Sequence, residues 1–184
     1  MQKFAFIENV PGLSVEPYTT TFDDGEWFNR IAGCDGIDKC LAYAKELIAD
    51  GYTLFDLCGD FGPEHIAELL KDAPEGTEAY FAAYLPEELT KMEALEQYVE
   101  YGQIIMGNVD EPTWFHLTAP EMNTHSVFVR DQAMAVEAAK QLAADGVDGI
   151  ELCSAFDLDM TKEIIAAVES IDPKIPVGSN GIQL

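Results

Sequence analysis

The chain has 184 residues, 48% of them apolar, and a formal net charge of −24 that arises from 34 acidic and 10 basic side chains. The apolar fraction is that of a folded globular protein with a real core, rather than of a disordered chain. So negative a surface repels nucleic acid and anionic membranes, and we expect neither as a partner.

The first predicted element is a buried strand at 4–9, which Pro11-Gly12 ends. A polar loop at 13–25 leads to a weaker strand at 27–32. A helix at 36–49 has its apolar residues on one face and stops at Gly51, and a strand at 54–58 follows. Pro63 opens a second helix, and a strand at 79–84 completes this half of the chain.

Pro86 opens a third helix, which we expect to end at Gly102. The pattern then restarts with strand 103–109, in which Asn108 falls on Asn9 of the first strand. A loop at 110–124, strands at 126–130, 147–153 and 175–179, and helices at 132–144 and 158–171 complete it. Each half is predicted as β-loop-β-α-β-α-β: 1–85 is the first repeat, 86–102 the linking helix and 103–184 the second repeat, together one compact domain.

The repeat is clearest where each half has a helix ending at Asp-Gly, a short strand and an acid-Leu-Cys triplet. From Ala44 and from Ala139, eight of fifteen aligned positions are identical, which indicates an internal duplication. The triplets are Asp56-Leu57-Cys58 and Glu151-Leu152-Cys153. Strands that alternate with helices are expected to pair in parallel through right-handed crossovers.

Two arrangements of an α/β fold with mainly parallel strands fit this order. Phe55 and Leu57 alternate with Asp56 and Cys58, so each acid shares a strand face with its cysteine. A reduced (βα)8-like barrel of two half-barrels accommodates the alternation, with aliphatic side chains toward the helices and polar groups pointing inward. Two packed α/β sheets are the alternative.

The first half resembles a family of short, uncharacterised bacterial proteins, a domain of unknown function. The resemblance rests on Ala5-Phe6-Ile7, on Pro11-Gly12 and on 56–62, which is close to the family's I-E-L-C-G-x-F-G. The second half keeps Glu151-Leu152-Cys153 but has Ser154 where the pattern has glycine. The resemblance implies a fused pair of units that elsewhere stand alone and dimerise, and it implies no activity.

The acid-Leu-Cys triplets are the first candidate site, because α/β proteins place functional groups at the carboxyl ends of parallel strands. We expect Asp56, Cys58, Glu151 and Cys153 to come together as catalytic groups. The alternative is that the cysteines are small core residues and the acids bind backbone amides. Candidate ligand-binding residues are Asn9, Asn108, Asn180 and Gly59.

Histidines are the second candidate. His65 follows Cys58 by seven positions at a helix start, where it would activate a thiol or simply face solvent. His116 and His125 lie in or beside the second long loop, where Trp114, Phe115 and His116 would form a lid over the strand ends. The spacing of the histidines matches no standard metal site, so we predict no metal and no cofactor.

Two functions from different classes follow. In the first, a small-metabolite enzyme, Asp56 and Glu151 exchange protons with a substrate in proton-transfer or lyase chemistry, with Cys58 as a nucleophile. In the second, a binding or regulatory module, the same cavity holds a small molecule without turnover. The four cysteines include no Cys-x-x-Cys pair, and the first residues do not form a signal peptide, so we expect a cytoplasmic monomer or homodimer.

Overall fold

The computed structural model describes residues 1–182 as two halves of the same α/β topology. The first half has strands β1 (Gln2–Asn9), β2 (Tyr18–Asp23), β3 (Trp27–Cys34), β4 (Leu54–Leu57) and β5 (Glu78–Phe81), and helices α1 (Ile37–Ala49) and α2 (Pro63–Leu70). Helix α3 (Pro86–Glu93) follows. The second half has β6 (Glu100–Met106), β7 (Thr113–Thr118), β8 (Asn123–Val129), β9 (Gly149–Leu152) and β10 (Val177–Ser179), and helices α4 (Gln132–Asp145) and α5 (Leu158–Glu169).

The sequence explains where several helices begin and end. The Asp131 and Asp157 side chains accept hydrogen bonds from the N–H groups of Met134 and Met160, each at 2.9 Å, and so cap α4 and α5. Gly146 takes a φ of +84° just after α4, a backbone conformation that L residues rarely adopt. The predicted helix boundaries are therefore close to the observed ones for α4 and α5.

Each half forms its own five-stranded sheet, with orders β2-β3-β1-β4-β5 and β7-β8-β6-β9-β10. In both sheets all pairs are parallel except the outermost β2–β3 and β7–β8 pairs. The α/β class, the duplication and the mainly parallel strands are thus confirmed. The strands do not form the single closed barrel, and the two packed sheets of the alternative are what the chain adopts.

The two sheets face each other, and the helices lie on the outside. Helices α1 and α2 pack on strands of the first sheet, and α4 and α5 on strands of the second. At one side the sheets are joined by a single antiparallel bridge between Ala83 and Ser179. At the other side Tyr18 of β2 donates a hydrogen bond to the carbonyl oxygen of Met122 at 2.8 Å. Inward-pointing side chains of the two halves therefore meet between the sheets, as the hydrogen bond from Nε2 of Gln103 to Oε2 of Glu8 shows.

Three predicted elements differ from the structure. The loops at 13–25 and 110–124 each contain an edge strand, β2 and β7, because antiparallel pairing satisfies backbone groups that a loop would leave to water. The third helix ends at Glu93 and not at Gly102, since β6 begins at Glu100 and takes its place in the second sheet. Within residues 1–182, no helix is both long and apolar enough to cross a membrane.

Candidate functional site

The two acids of the repeated triplet connect the halves by reciprocal contacts. The Gly59 N–H donates to Oε1 of Glu151 at 2.9 Å, and the Ser154 N–H donates to Oδ2 of Asp56 at 2.7 Å. Each acid thus binds the peptide group that directly follows the cysteine of the other half. Position 59 has no room for a side chain, because a Cβ added to Gly59 would lie 2.8 Å from Cε2 of Tyr84 and 2.9 Å from Oε1 of Glu151.

The strand pairing places equivalent residues differently from the sequence alignment. The N–H groups of Cys58 and Cys153 donate to the carbonyl oxygens of Ile7 and Ile104, both at 3.0 Å. Ile7 is therefore the counterpart of Ile104, and Asn9 is the counterpart of Met106. The predicted match of Asn9 with Asn108 was wrong by two positions, because both strands have five consecutive buried residues and so show no alternation of apolar and polar residues that would fix the match.

The cysteines are held as buried thiols. Each sulfur accepts a backbone N–H at 3.3 Å, from Asn9 at Cys58 and from Met106 at Cys153. Burial and the nearby Glu151 carboxylate raise the pKa of Cys58 well above its ordinary value. Burial and Asp56 raise the pKa of Cys153 to about 12. A neutral, buried thiol is a poor nucleophile, so this environment does not favour the expected chemistry at Cys58.

A cavity of about 380 Å³ lies between the halves where β1 and β4 end, and exposed Pro11 and Gln97 form part of its mouth. Four carboxyl groups line it, those of Glu8, Asp60, Glu121 and Glu151. Of the residues that the structure describes, no Lys, Arg or His is part of this wall. The remaining lining residues are Asn9, Cys58, Gly59, Met92, Tyr98, Val99, Tyr101 and Met122.

Glu8 extends from the end of β1 into the interior, where it is 1% exposed. Its Oε2 accepts from Nε2 of Gln103 at 2.7 Å, and its Oε1 accepts from the hydroxyl of Thr124 at 2.6 Å. The Thr124 hydroxyl also lies 3.1 Å from that of Tyr18. Burial raises the pKa of Glu8 to about 8, and the nearby Glu151 adds to the shift. Glu8 therefore carries a proton at neutral pH.

Glu151 lies on the facing strand β9 and is 2% exposed. Besides Gly59, its donors are the hydroxyl of Tyr84 at 2.6 Å and the hydroxyl of Tyr101. Burial raises the pKa of Glu151 to about 7, although these donors act in the opposite direction. The Tyr98 hydroxyl is excluded from solvent and has no hydrogen-bond partner within residues 1–182. Tyr98 lines the cavity, and its hydroxyl oxygen lies beside Gly149, where an added Cβ would be 2.6 Å from it.

The opposite end of the interior has equivalent positions but a different character. Ile105 and Phe4 stand there where the first end has Glu8 and Tyr101, and both are almost fully buried. Asp56 remains, with burial raising its pKa to about 7. The pseudo-symmetric interior therefore has two buried acids and a cavity at one end, and one buried acid, Asp56, among apolar side chains at the other.

The predicted site residues are only partly brought together. Glu151, Cys58, Asn9 and Gly59 line the cavity, whereas Asp56 and Cys153 belong to the opposite end. Asn180 is buried, donates to the Leu152 carbonyl oxygen at 3.2 Å, and lines a neighbouring groove.

Two further predicted residues have structural contacts elsewhere. Asn108 donates to the carbonyl oxygen of Asp24 at 3.1 Å. His65 accepts the Gly62 N–H on Nδ1 at 3.0 Å, the geometry of a helix-start residue.

The other histidines lie on the outer face of the second sheet. Nδ1 of His116 is 2.9 Å from Nδ1 of His125, and Nε2 of His125 is 2.6 Å from Oε2 of Glu100. In the described part of the chain, no three or more His, Cys, Asp or Glu residues are grouped as metal ligands. Trp114 and His116 belong to β7, so the predicted lid over the strand ends was wrong.

The sequence reasoning missed several residues of the cavity wall, among them Glu8, Tyr98, Tyr101 and Glu121, and it missed Gln103, which donates to Glu8. Glu8 had a usable signal, since a single acid in an otherwise apolar strand is the same pattern that singled out Asp56. Tyr98 had none, because it was placed in the long linking helix.

Comparisons with known proteins agree with the duplication. The sequence profile of a family of unknown function (DUF6506) matches residues 2–97 and again 99–182. No curated protein matches the sequence.

Two solved structures are distantly similar. One is an extracellular ligand-binding receptor from Verminephrobacter eiseniae, with 13% identity and a TM-score of 0.32 over 96% of this chain, which spans 63% of the receptor. The other is an ABC transporter periplasmic solute binding protein from Actinobacillus succinogenes with bound D-allose, with 9% identity and a TM-score of 0.31 over 96% of this chain and 77% of that one. At such TM-scores neither likeness bears on function.

Proposed function

We propose that this chain, which belongs to the DUF6506 family of unknown function, binds a small molecule in the cavity between its two sheets. One observation carries the proposal. Two residues with almost completely buried carboxyl groups, Glu8 and Glu151, line one cavity of about 380 Å³ together with Tyr98, whose buried hydroxyl has no hydrogen-bond partner in the described residues. Its size is in the usual range for a small-molecule site, about 300–1,000 Å³.

The loss of stability that comes with burying the carboxyl groups of Glu8 and Glu151 supports a ligand-binding function. A buried carboxyl group lowers the stability of a protein unless hydrogen bonds compensate, and an apolar pair would fill the same space at no such cost. The equivalent positions at the opposite end do contain apolar side chains, Ile105 and Phe4. The donors of Gln103, Thr124, Tyr84 and Tyr101 fix the two carboxyl groups in place, as a binding site requires.

Proton transfer is the second candidate. The pKa of Glu8 is raised to about 8 and that of Glu151 to about 7, so near pH 7.5 one is mostly protonated and the other mostly ionised. Such a pair supplies an acid and a base to a substrate placed between them. In this form of the proposal Glu8 replaces Asp56 as the partner of Glu151, and Cys58 remains a neutral thiol.

The test is a screen of small polar molecules by thermal shift and by protein-observed NMR, followed by two matched variants. Tyr98→Phe removes the unpartnered hydroxyl, and Tyr80→Phe removes a hydroxyl that donates to the exposed Glu78 at 2.7 Å, outside the cavity. We expect hits to bind about tenfold more weakly to Tyr98→Phe, the loss of about 1.4 kcal/mol that one hydrogen bond supplies, and equally well to Tyr80→Phe.

If a hit binds Tyr98→Phe with the same affinity as the unchanged protein, it binds elsewhere. A screen with no hits would contradict the binding function itself. Incubation of confirmed ligands with the protein in deuterated water distinguishes the second candidate. Deuterium incorporation that Glu8→Gln abolishes would favour proton transfer over simple binding.

A further inference from the structure

We propose that the ligand of this cavity is a small organic cation, an ammonium group attached to a short apolar arm; this inference rests on the proposed function. The observation that carries it is the composition of the wall, which has four carboxyl groups and none of the cationic side chains of the described residues. Charge complementarity of this kind selects ligands by repelling those of the wrong sign.

The carboxyl groups form a path from solvent to the closed end. Asp60 is exposed beside the mouth, where its Oδ2 accepts from Nδ2 of Asn9 at 2.8 Å, and Glu121 is half-buried. Glu8 and Glu151 lie at the closed end, 1% and 2% exposed. Because the mouth is negatively charged and the chain has a net charge of −24, the cavity concentrates cations and excludes anions such as phosphates and carboxylates.

The uncharged part of the wall fits an apolar arm. Met92, Val99 and Met122 contribute aliphatic and thioether surface, and the rings of Tyr98 and Tyr101 lie with their centroids 5.5 Å apart. Tyrosine rings attract a cation near their faces as well as packing against carbon atoms. An inorganic ion would gain nothing from these aliphatic and thioether groups to replace the water molecules that it loses on entering the cavity.

A divalent metal ion is the competing cation, and the hydrogen bonds disfavour it. Metal ions need carboxylate lone pairs directed at them at about 2.0–2.6 Å. Both oxygens of Glu8 and both of Glu151 already accept hydrogen bonds from protein donors. An ammonium group is satisfied by the remaining lone pairs at ordinary hydrogen-bond distances and by the unpartnered oxygen of Tyr98.

Binding of a cation at this place is coupled to a proton. The titratable groups around Glu8 are Glu151 on β9, Cys34 at the end of β3, Tyr18 on β2, Tyr101 on β6 and Tyr98 just before β6, and none of these is a cation. In the free protein the pKa of Glu8 is about 8, so at pH 7 its carboxyl group holds a proton. An ammonium ion beside it favours the carboxylate, the proton leaves to solvent, and affinity therefore rises with pH toward 8.

Three probes that share the 2-phenylethyl group and differ in the charge of the group attached to it test the inference: 2-phenylethylamine, 2-phenylethanol and 3-phenylpropanoate. Calorimetric titration at pH 7 should show the amine binding at least about tenfold more tightly than the alcohol, with no binding of the carboxylate. In two buffers of different ionisation enthalpy the amine should release up to about one proton, and its affinity should fall several-fold at pH 6.

Glu8→Gln and Asp60→Asn separate the closed end from the mouth. We expect Glu8→Gln to lose most of the proton release, apart from the share of Glu151, and at least about tenfold in amine affinity. Asp60→Asn should lose a few-fold in affinity together with part of the salt dependence. Asp159→Asn removes one exposed charge from another part of the chain, so it should bind the amine like the unchanged protein.

Each other outcome overturns the inference in a recognisable way. If the alcohol or the carboxylate binds as tightly as the amine, the cavity is a binding site but charge does not select its ligand, and only the inference fails. If Asp159→Asn weakens binding as much as Asp60→Asn, net charge and not the mouth attracts the amine. If no probe binds, the inference fails, and the broader screen with Tyr98→Phe decides the proposed function.

Discussion

Replacement of Glu8 by Gln should change how the stability of the protein depends on pH. A glutamine side chain imitates the protonated acid, since its Nε2 can donate to the hydroxyl of Thr124 while its Oε1 accepts from Nε2 of Gln103. Thr124 then donates to Tyr18, whose oxygen lies 3.1 Å away. The variant therefore keeps the hydrogen-bond network and removes only the ionisation.

The size of the effect follows from the raised pKa. The pKa of Glu8 is about 8 in the folded protein against an ordinary value of 4.5. An acid with a raised pKa contributes stability that is fully present below its unfolded pKa and is lost as the pH rises through its folded pKa. At about 1.4 kcal/mol for each pH unit between the two values, the loss reaches about 5 kcal/mol. Relaxation around the buried charge lowers this figure, so we expect about 2–5 kcal/mol.

Urea unfolding at pH 5, 7 and 9 measures the difference. Asp56 and Glu151, with pKa values raised to about 7, and the repulsion among surface acids lower stability with rising pH in both proteins. The comparison is therefore between slopes: the unchanged protein should lose about 2–4 kcal/mol more than Glu8→Gln from pH 5 to pH 9, since part of the unfolded-state ionisation is already complete at pH 5. Parallel profiles would refute the argument, because they would mean that Glu8 is ionised in the folded protein at little cost.

The remaining predictions concern other parts of the chain. Asp56→Ala should lower the free energy of unfolding at pH 6 by about 1–3 kcal/mol, because the Ser154 N–H loses its acceptor. Asp56→Asn keeps an acceptor oxygen and should lower it by less than about 1 kcal/mol. Equal losses for the two variants in urea unfolding would mean that this hydrogen bond does not contribute to stability. Iodoacetamide should label Cys34 first, since Cys34 is partly exposed and a hydrogen bond from Cys40 lowers its pKa. Cys58 and Cys153 are buried and should react only when the protein unfolds. Early labelling of Cys58, detected by mass spectrometry, would support its role as a nucleophile after all. The melting temperature should rise as salt goes from about 0.01 to about 0.2 M, because screening weakens repulsion among the 34 acids, and a flat profile would show that they are already compensated.

The local pattern of the sequence predicted more of the fold than of the site. The repeat, the helix positions and the inward face of Asp56 and Glu151 depend on neighbouring residues, so they could be predicted from the chain itself. The edge strand Tyr18–Asp23 was overlooked, although its alternation of Tyr18, Thr20 and Phe22 on one face is typical of a strand. The pairing of Glu8 with Gln103 and Thr124 joins residues 95 and 116 positions apart, and no local pattern predicts such contacts.

Reciprocal contacts between two halves of one polypeptide have a consequence for how such a protein can evolve. In a symmetric dimer of identical chains, every substitution occurs at both ends of the shared interior. An ionisable residue at the position of Glu8 would therefore lower the stability of both ends. A fused chain is free of that constraint: Ile105 and Phe4 can consolidate one end while Glu8 and Tyr101 keep the other polar. After fusion the two ends can therefore change separately, and the stability gained from apolar residues at one end can compensate for the buried acid kept at the other.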